Sequence, residues 1–233
     1  MPLKPLPIDA VIPDALQRLQ DKGALVLIAA PGAGKTTRIP PAVLDAKLAN
    51  LASGQPGQIV VLQPRRVAAR SAAARISDER GTKLGQEIGY MVRHERLCSR
   101  DTRILVCTQG VFLRRLQDDP MLEQVSCVVF DEFHERTLDS DLALALVSQV
   151  RSALRPDLKI IVMSATLDAT PVSKFSAIAP SSRAQDALIL WQLSILPRPS
   201  KSASKNQSRK PSNKWPTKAP GMCLHFCQVS MKY

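Results

Sequence analysis

A glycine-rich segment near the start of the chain has the residue types that a phosphate-binding loop requires. Gly32 and Gly34 allow the backbone to turn so that its N–H groups point toward phosphate oxygens. Lys35 can reach the β- and γ-phosphates of a nucleotide, and Thr36 can ligate Mg²⁺. The segment departs from the usual pattern only at its first residue, where alanine replaces glycine. We therefore predict a nucleoside triphosphate site in Ala29-Ala30-Pro31-Gly32-Ala33-Gly34-Lys35-Thr36-Thr37, with residues 30–37 in contact with the nucleotide.

Two adjacent carboxylates follow a later apolar run, Cys127–Phe130. An aspartate at the carboxyl end of a parallel strand faces the same crevice as the phosphate loop, so Asp131 is placed to hold the Mg²⁺ shell. Glu132 is then placed to orient or deprotonate an attacking water. The alternative is a run of solvated loop charges, which the phosphate loop upstream disfavours. For His134 the sequence leaves two interpretations open, a coupling residue or an ordinary loop histidine.

Strands must position these two segments, and five short apolar runs are candidates. The runs are rich in Val and Ile and do not alternate in polarity, which is typical of strands buried on both faces of a parallel sheet. Helix-like segments separate the runs, which predicts an α/β domain with three layers and a mainly parallel sheet. The predicted strands are residues 24–29, 58–63, 103–107, 127–131 and 158–163.

Periodicity predicts the helices between these strands. A helix over residues 10–22 precedes the first strand, and Pro40 and Pro41 should end the helix after it within its first turns. Apolar residues that share a helical face predict the buried sides of two further helices. These faces are Ala68, Ala72 and Ile76 in one helix, and Leu142, Leu146 and Val150 in the other.

Positive charge is unevenly distributed along the chain. Lys and Arg number 32 against 20 acids, and the resulting net charge of +12 is typical of nucleic-acid-binding proteins. Residues 178–233 hold nine of the basic residues and one acid, so +8 belongs to this segment and +4 to the rest. Its Pro, Ser, Lys and Asn content predicts a disordered tail. No run approaches the roughly 18 apolar residues of a membrane span, and no signal-like start is present, so we expect a cytoplasmic protein.

The five cysteines do not indicate a disulfide framework, because their number is odd and their positions are scattered. Cys107 and Cys127 lie in apolar runs and are predicted to be small core residues. Ligand-like spacing occurs only in Cys223, His225 and Cys227. A zinc site needs four ligands, usually in two separated pairs, so this spacing alone does not predict a metal site.

Six motifs follow one another in a recognisable order. They are Gly34-Lys35-Thr36-Thr37, Gln63-Pro64-Arg65-Arg66-Val67-Ala68-Ala69, Gly89-Tyr90-Met91-Val92-Arg93, Thr108-Gln109-Gly110-Val111, Asp131-Glu132-Phe133-His134-Glu135-Arg136 and Ser164-Ala165-Thr166-Leu167-Asp168. This order resembles the first RecA-like lobe of a DEAH-class superfamily 2 helicase, and Phe133 in place of alanine is most similar to bacterial HrpB-type ATP-dependent helicases. Another P-loop family would share the first and fifth motifs but not the second and sixth. The resemblance covers about residues 8–177, so the predicted organisation is a lobe over 1–177 and a tail over 178–233.

The resemblance assigns roles to individual residues. It implies ATP and Mg²⁺ as cofactors, with Lys35, Asp131, Glu132 and His134 at the catalytic centre and Thr36 and Asp131 as metal ligands. It implies that His134, Ser164 and Thr166 couple the nucleotide state to strand movement.

The resemblance also implies contacts to the backbone of single-stranded RNA or DNA, made without sequence specificity by Arg65, Arg66, Thr108 and Gly110. Hydroxyls, helix N-termini and arginines can bind phosphates in this way. A solvated helix start is the alternative for the two arginines, although cations are mildly unfavourable at a helix N-terminus.

Members of the resembled class have a second RecA-like lobe, which supplies an arginine finger from a Gln-Arg-x-Gly-Arg motif. The present sequence has no such motif. We therefore hypothesise a truncated ATP-dependent RNA helicase of impaired activity, whose tail arises from an altered reading frame. Two alternatives stay open: a fragment that binds ATP and nucleic acid without turnover, and a non-functional product.

Overall fold

A computed structural model of the 233-residue chain describes residues 4–165 and, for the backbone alone, residues 189–191. The strands are β1 (Ala24–Ile28), β2 (Gln58–Gln63), β3 (Ile88–Val92), β4 (Glu95–Leu97), β5 (Ile104–Thr108), β6 (Val125–Phe130), β7 (Lys159–Ser164) and β8 (Ile189–Trp191). The helices are α1 (Ile12–Lys22), α2 (Lys35–Asp45), α3 (Arg66–Arg80), α4 (Gln109–Asp118) and α5 (Leu138–Ala153), and two short 3-10 helices span Pro7–Val11 and Phe133–Glu135.

The eight strands form one sheet in the order β4-β3-β5-β2-β6-β7-β1-β8. All pairings from β3 to β1 are parallel, and the two edge strands β4 and β8 pair antiparallel with β3 and β1. The predicted α/β class with a mainly parallel sheet is thus confirmed. Because the central strands are parallel, their carboxyl ends lie along one edge, where loops from several strands can combine into a site.

Helices cover both faces of the sheet, which accounts for the fully apolar strands. Alternate residues of β2 enter different cores, with Ile59 on one side and Val60 on the other. The first core contains Leu19, Ile39 and Ile76 from α1, α2 and α3, and the second contains Phe112 and Val147 from α4 and α5. These layers confirm the predicted three-layer arrangement.

All five strands predicted from apolar runs are present, with ends within two residues of the predicted ones. Strands β3 and β4 were missing from the predicted set of runs because β3 is interrupted by Gly89 and β4 is a short edge strand with one apolar residue, Leu97. Strand β8 lies within the segment predicted as a tail. Its neighbours in 178–233, the Cys223–Cys227 spacing among them, lie outside the described residues.

The predicted end of α2 at Pro40 and Pro41 is wrong, because both prolines lie buried inside a helix that continues to Asp45. A proline inside a helix removes a backbone hydrogen bond and costs about 3 kcal/mol or more. Ile39 and Val43 flank the two prolines and are buried in the first core. Tertiary packing of this apolar stretch therefore outweighs the local preference of proline.

The buried faces of α3 and α5 differ from the predicted ones by a small rotation of each helix. Helix α5 buries Ser140, Ala143 and Val147, whereas Leu142 and Leu146 are 46% and 36% exposed. Helix α3 buries Ala69, Ala73 and Ile76, and it leaves Ala68 and Ala72 half-buried. Both helices carry adjacent apolar stripes, so periodicity alone did not identify the inner one. None of the helices in the described ranges is long and apolar enough to cross a bilayer.

Candidate active site

The glycine-rich loop connects β1 to α2 at the carboxyl edge of the sheet. Gly32 and Gly34 have φ angles of 78° and 95°, in the left-handed region that side chains rarely adopt. A Cβ at Gly34 would lie 2.6 Å from Cδ1 of Leu6, so the N-terminal segment also leaves no room for a side chain. Ile8 fixes this packing, since its amide donates a hydrogen bond to the Ala33 carbonyl at 3.2 Å. The loop thus has the turn that the sequence predicted.

Lys35 is the first residue of α2 and is buried against the loop. Its Nζ donates hydrogen bonds to the carbonyl oxygens of Ala29 and Ala30, at 2.6 and 3.1 Å. Burial lowers the pKa of Lys35, and the carboxylates of Glu132 and Asp131 oppose part of that shift. The ammonium therefore spans the loop with backbone oxygens as partners, and phosphate oxygens are the same kind of acceptor.

Asp131 connects the end of β6 to the phosphate loop. Its Oδ2 accepts hydrogen bonds from the Thr36 hydroxyl at 2.5 Å and from Nε2 of Gln63 at 2.6 Å. Burial raises the pKa of Asp131, while these donors, the Glu132 amide and the charge of Lys35 act in the opposite direction. No role was predicted for Gln63, although it lies at the carboxyl end of β2, the neighbour of β6.

The contact between Thr36 and Asp131 fits a magnesium site of the nucleotide-dependent kind. Mg²⁺ is usually held by one or two carboxylates or hydroxyls together with substrate phosphates, and not by a cage of protein ligands. Within residues 4–165 no group of three or more His, Cys, Asp or Glu residues has the geometry of such a cage. The Thr36 hydroxyl and the Asp131 carboxylate are in direct contact, and they are the two protein ligands that this partial coordination needs.

Glu132 has a backbone conformation that is unusual for its residue type. Its φ of 51° is left-handed, and its amide donates to Oδ1 of Asp131 at 2.9 Å. Burial and the neighbouring Asp131 charge raise the pKa of the Glu132 carboxyl. Such backbone strain occurs preferentially at functional sites, where the surrounding structure stabilises it. Glu132 lines the cavity beside the phosphate loop.

His134 links the loop after β6 to the end of β7. Its Nδ1 accepts a hydrogen bond from the Ala165 amide at 3.2 Å, so the proton of the neutral imidazole is on Nε2. Nδ1 also lies 3.5 Å from Oε2 of Glu132, but an unprotonated nitrogen cannot form a salt bridge there. Ser164, the last residue of β7, is buried next to this contact, and Thr166 lies outside the described residues.

A cavity of about 400 Å³ opens between the phosphate loop and α3. Ser71 and Arg75 line it from α3, and neither residue was predicted to have a role. The Arg75 side chain is 66% exposed and pairs with Glu79 at 3.1 Å. Because the guanidinium of arginine is planar, it can stack on an aromatic ring in the cavity. Ser71 and Arg75 lie three residues after Ala68 and Ala72, which also line the cavity from the same helical face, and this spacing was the signal that could have identified them.

Of the four residues predicted to contact nucleic acid, one lies beside the nucleotide cavity and three lie at the starts of α3 and α4. Arg65 lines the cavity of the phosphate loop, and its Nη2 lies 3.3 Å from Oε1 of Glu135. Arg66 is the exposed first residue of α3, whereas Thr108 and Gly110 lie at the start of α4. Since β2 and β5 are adjacent and parallel, the starts of α3 and α4 follow the same edge of the sheet. Arg65 is thus closer to the nucleotide cavity than the sequence suggested.

Comparisons with known proteins agree on one family. The DEAD/DEAH box helicase model matches residues 9–175. The ATP-dependent RNA helicase HrpB of Escherichia coli is 42% identical over 175 residues, which cover 75% of this chain and 21% of that protein. Mouse ATP-dependent RNA helicase DHX33 is 41% identical over 179 residues, which cover 75% of this chain and 25% of that protein.

A solved structure supports the same assignment. The crystal structure of the Escherichia coli DEAH/RHA helicase HrpB superposes with a TM-score of 0.66 at 41% identity, and the match covers 73% of this chain and 21% of that one. The chain therefore spans about a fifth to a quarter of the length of these relatives. On the combined evidence of motifs, fold and matched residues, the chain belongs to the DEAD/DEAH box helicase family.

Proposed function

We propose that residues 1–177 form the ATP-binding lobe of an ATP-dependent RNA helicase, which couples hydrolysis of the β–γ phosphoanhydride to movement along a single strand. One observation carries the proposal: Thr36 and Lys35 of the phosphate loop converge on the carboxylates of the loop after β6. The family match over residues 9–175 supports the extent of the lobe. Residues 178–233 are proposed to be a basic segment beyond the lobe, apart from β8, which pairs with β1 at the sheet edge.

The side chains of the site have distinct roles in this proposal. Lys35 exchanges its carbonyl partners for the β- and γ-phosphate oxygens, and the loop amides bind the remaining phosphate oxygens. Thr36 and Asp131 would hold Mg²⁺, which would supply positive charge to offset the charge that develops on the phosphates. Glu132 orients the attacking water and accepts its proton, which requires the ionised carboxylate.

Nucleic acid is proposed to bind along the starts of α3 and α4. Arg66 and the helix N-terminus at Thr108 and Gly110 offer a cation and backbone donors to phosphates. A Cβ at Gly110 would lie 3.3 Å from Oδ2 of Asp139, so the start of α4 has little room for a side chain there. Cations and backbone donors bind phosphates and do not distinguish the bases, so binding should be independent of sequence. The names of the relatives favour RNA as the strand.

The test is an ATPase assay with and without a single-stranded RNA of mixed sequence. Turnover that rises with RNA and is abolished by Lys35→Ala would support the proposal. Lys83→Ala is the matched control, because Lys83 is an exposed lysine outside the cavity and its loss should leave turnover unchanged. ATP binding without any RNA-stimulated turnover would contradict the hydrolytic role. Turnover that survives Lys35→Ala would point to a contaminating ATPase and contradict the assignment of the site.

A further inference from the structure

A second cavity of about 390 Å³ lies on the opposite face of the sheet from the nucleotide cavity. Helix α4 covers it and β3, β4 and β5 form its floor, whereas the nucleotide cavity is lined by α3. Three arginines line the second cavity: Arg96 from β4, and Arg114 and Arg115 from α4. None of the roles proposed above involves these residues.

The three arginines share a lack of carboxylate partners. No salt bridge of Arg96, Arg114 or Arg115 is present in the described part of the chain. Asp118 is the one acidic residue in the lining, so the walls carry a net positive charge. Eight other arginines of the described residues pair with carboxylates, and five more do not, but only in this cavity do three unpaired arginines line one described pocket. Positive charge in this cavity is therefore available to an external anion.

Neutral groups hold the guanidinium of Arg115 in place. Gln58 donates from Nε2 to the Thr102 carbonyl at 2.9 Å, which fixes the orientation of its amide group. Its Oε1 then accepts from Nη1 of Arg115 at 2.7 Å. This chain of hydrogen bonds positions the cation without neutralising it, and it leaves the remaining donors of the fork for a ligand. Arg96 is similarly held by a neutral partner, since its Nε donates to Sγ of Cys98 at 3.0 Å.

We propose that this cavity is a second phosphate-binding site, in which Arg96, Arg114 and Arg115 bind a phosphate group of the nucleic-acid backbone. The proposal rests on the proposed function, because α4 carries both sites. Gly110 and Arg114 are four residues apart, about 6 Å along a helix axis. Each strand of duplex DNA rises ~3.4 Å per nucleotide and an extended single strand covers more, so one or two nucleotides can span this distance. A strand bound at the start of α4 can therefore continue along the helix and place a phosphate at this cavity.

The experiment compares the full chain with the double variant Arg96→Glu/Arg114→Glu. Arg18→Glu/Lys22→Glu on α1 is the control, since it changes the net charge equally at exposed positions away from both cavities. Binding of a fluorescent single-stranded RNA is measured over a range of salt concentrations, with ATP affinity measured in parallel. Inorganic pyrophosphate binding is measured separately in the Lys35→Ala background, where the nucleotide cavity is impaired. Circular dichroism melting identifies folded samples, and Arg96→Gln/Arg114→Gln replaces the charge reversal if it unfolds.

The expected result is at least a tenfold loss of RNA affinity in the cavity variant but not in the control, with unchanged ATP affinity. The slope of log affinity against log salt should fall by about 0.7 for each RNA phosphate that the variant no longer neutralises. Loss of pyrophosphate binding with unchanged RNA affinity would instead identify a free phosphate compound as the ligand of the same site. If the cavity variant matches the control in both assays, the site does not exist. If the unaltered chain binds no RNA, the proposed function fails, and the pyrophosphate assay still decides the site.

Discussion

The Ala165 amide and the His134 imidazole are joined by a hydrogen bond of 3.2 Å, which ties the end of β7 to the loop after β6. That loop also carries Asp131 and Glu132. A displacement of the segment after β7 therefore acts directly on the loop that holds both carboxylates. Energetic coupling through one such contact typically amounts to about 0.5–2 kcal/mol.

We predict that His134→Ala lowers RNA-stimulated turnover about tenfold, which corresponds to ~1.4 kcal/mol, while ATP affinity changes less than twofold. The substitution removes the acceptor for the Ala165 amide without touching the phosphate loop. His134→Asn should recover part of the stimulation, because its side-chain oxygen can accept the same bond. Steady-state ATPase assays over an RNA titration measure both effects. An equal loss of basal and stimulated turnover would show that His134 has no coupling role.

Glu132→Gln should abolish turnover and stabilise the fold at neutral pH. The folded state raises the pKa of Glu132, so keeping the carboxylate ionised costs folding free energy above that pKa. The cost disappears as the pH falls through the raised pKa toward the ordinary glutamate value, because the group is then protonated in both states. The variant should therefore melt higher than the parent at pH 7.5, with the difference shrinking toward pH 4. A difference that stays constant or grows as the pH falls would contradict this account.

The pair of Arg65 and Glu135 should act as a unit in activity and contribute little to stability. Both side chains are partly exposed, and such pairs contribute about 0–1 kcal/mol to folding. Because Arg65 lines the nucleotide cavity and Glu135 follows His134, loss of either partner should lower RNA-stimulated turnover. A double-mutant cycle with Arg65→Ala and Glu135→Ala should give strongly non-additive effects on turnover. Strictly additive losses would mean that the two residues act independently.

Gly34→Ala should weaken ATP binding more than Gly32→Ala. Both glycines have left-handed φ angles, which cost an alanine about 1–2 kcal/mol. Only Gly34 would also place its new methyl group against Leu6, whereas nothing lies within 4 Å of a Cβ at Gly32. Isothermal titration with ATP, repeated in a Leu6→Ala background, separates the two causes. The gap between the two variants should narrow in that background, and an unchanged gap would exclude the clash with Leu6.

The features predictable from the sequence were those fixed by local chemistry. The phosphate loop depends on glycines at set positions, and β2 is an apolar run bounded by polar residues, so both were predicted at their observed positions. Strand β4 was not predictable in this way, because backbone pairing with β3 defines it and its side chains follow no apolar pattern.

The features that were not predicted from the sequence depend on tertiary packing. In α5, Ser140 and Ala143 are buried whereas three of the four leucines are exposed, which reverses the usual preference and cannot be inferred from periodicity. Gln63 and Arg75 reach the site only because β2 lies beside β6 and α3 borders the phosphate loop. The sequence separation between Gln63 and Asp131 is 68 residues, so their contact depends on strand order.

The order of strands in the sheet also determines how late in synthesis the lobe can complete its folding. Strand β1 emerges early, yet its parallel partner is β7, which begins 131 residues after β1 ends. At ~5–20 residues per second, a ribosome needs about 7–26 s to supply that partner. Until then the phosphate loop is flanked by β1 and α2, but β1 lacks the pairing with β7 that holds it in the sheet. Acquisition of ATP affinity by a nascent chain would thus report that β1 has paired with β7.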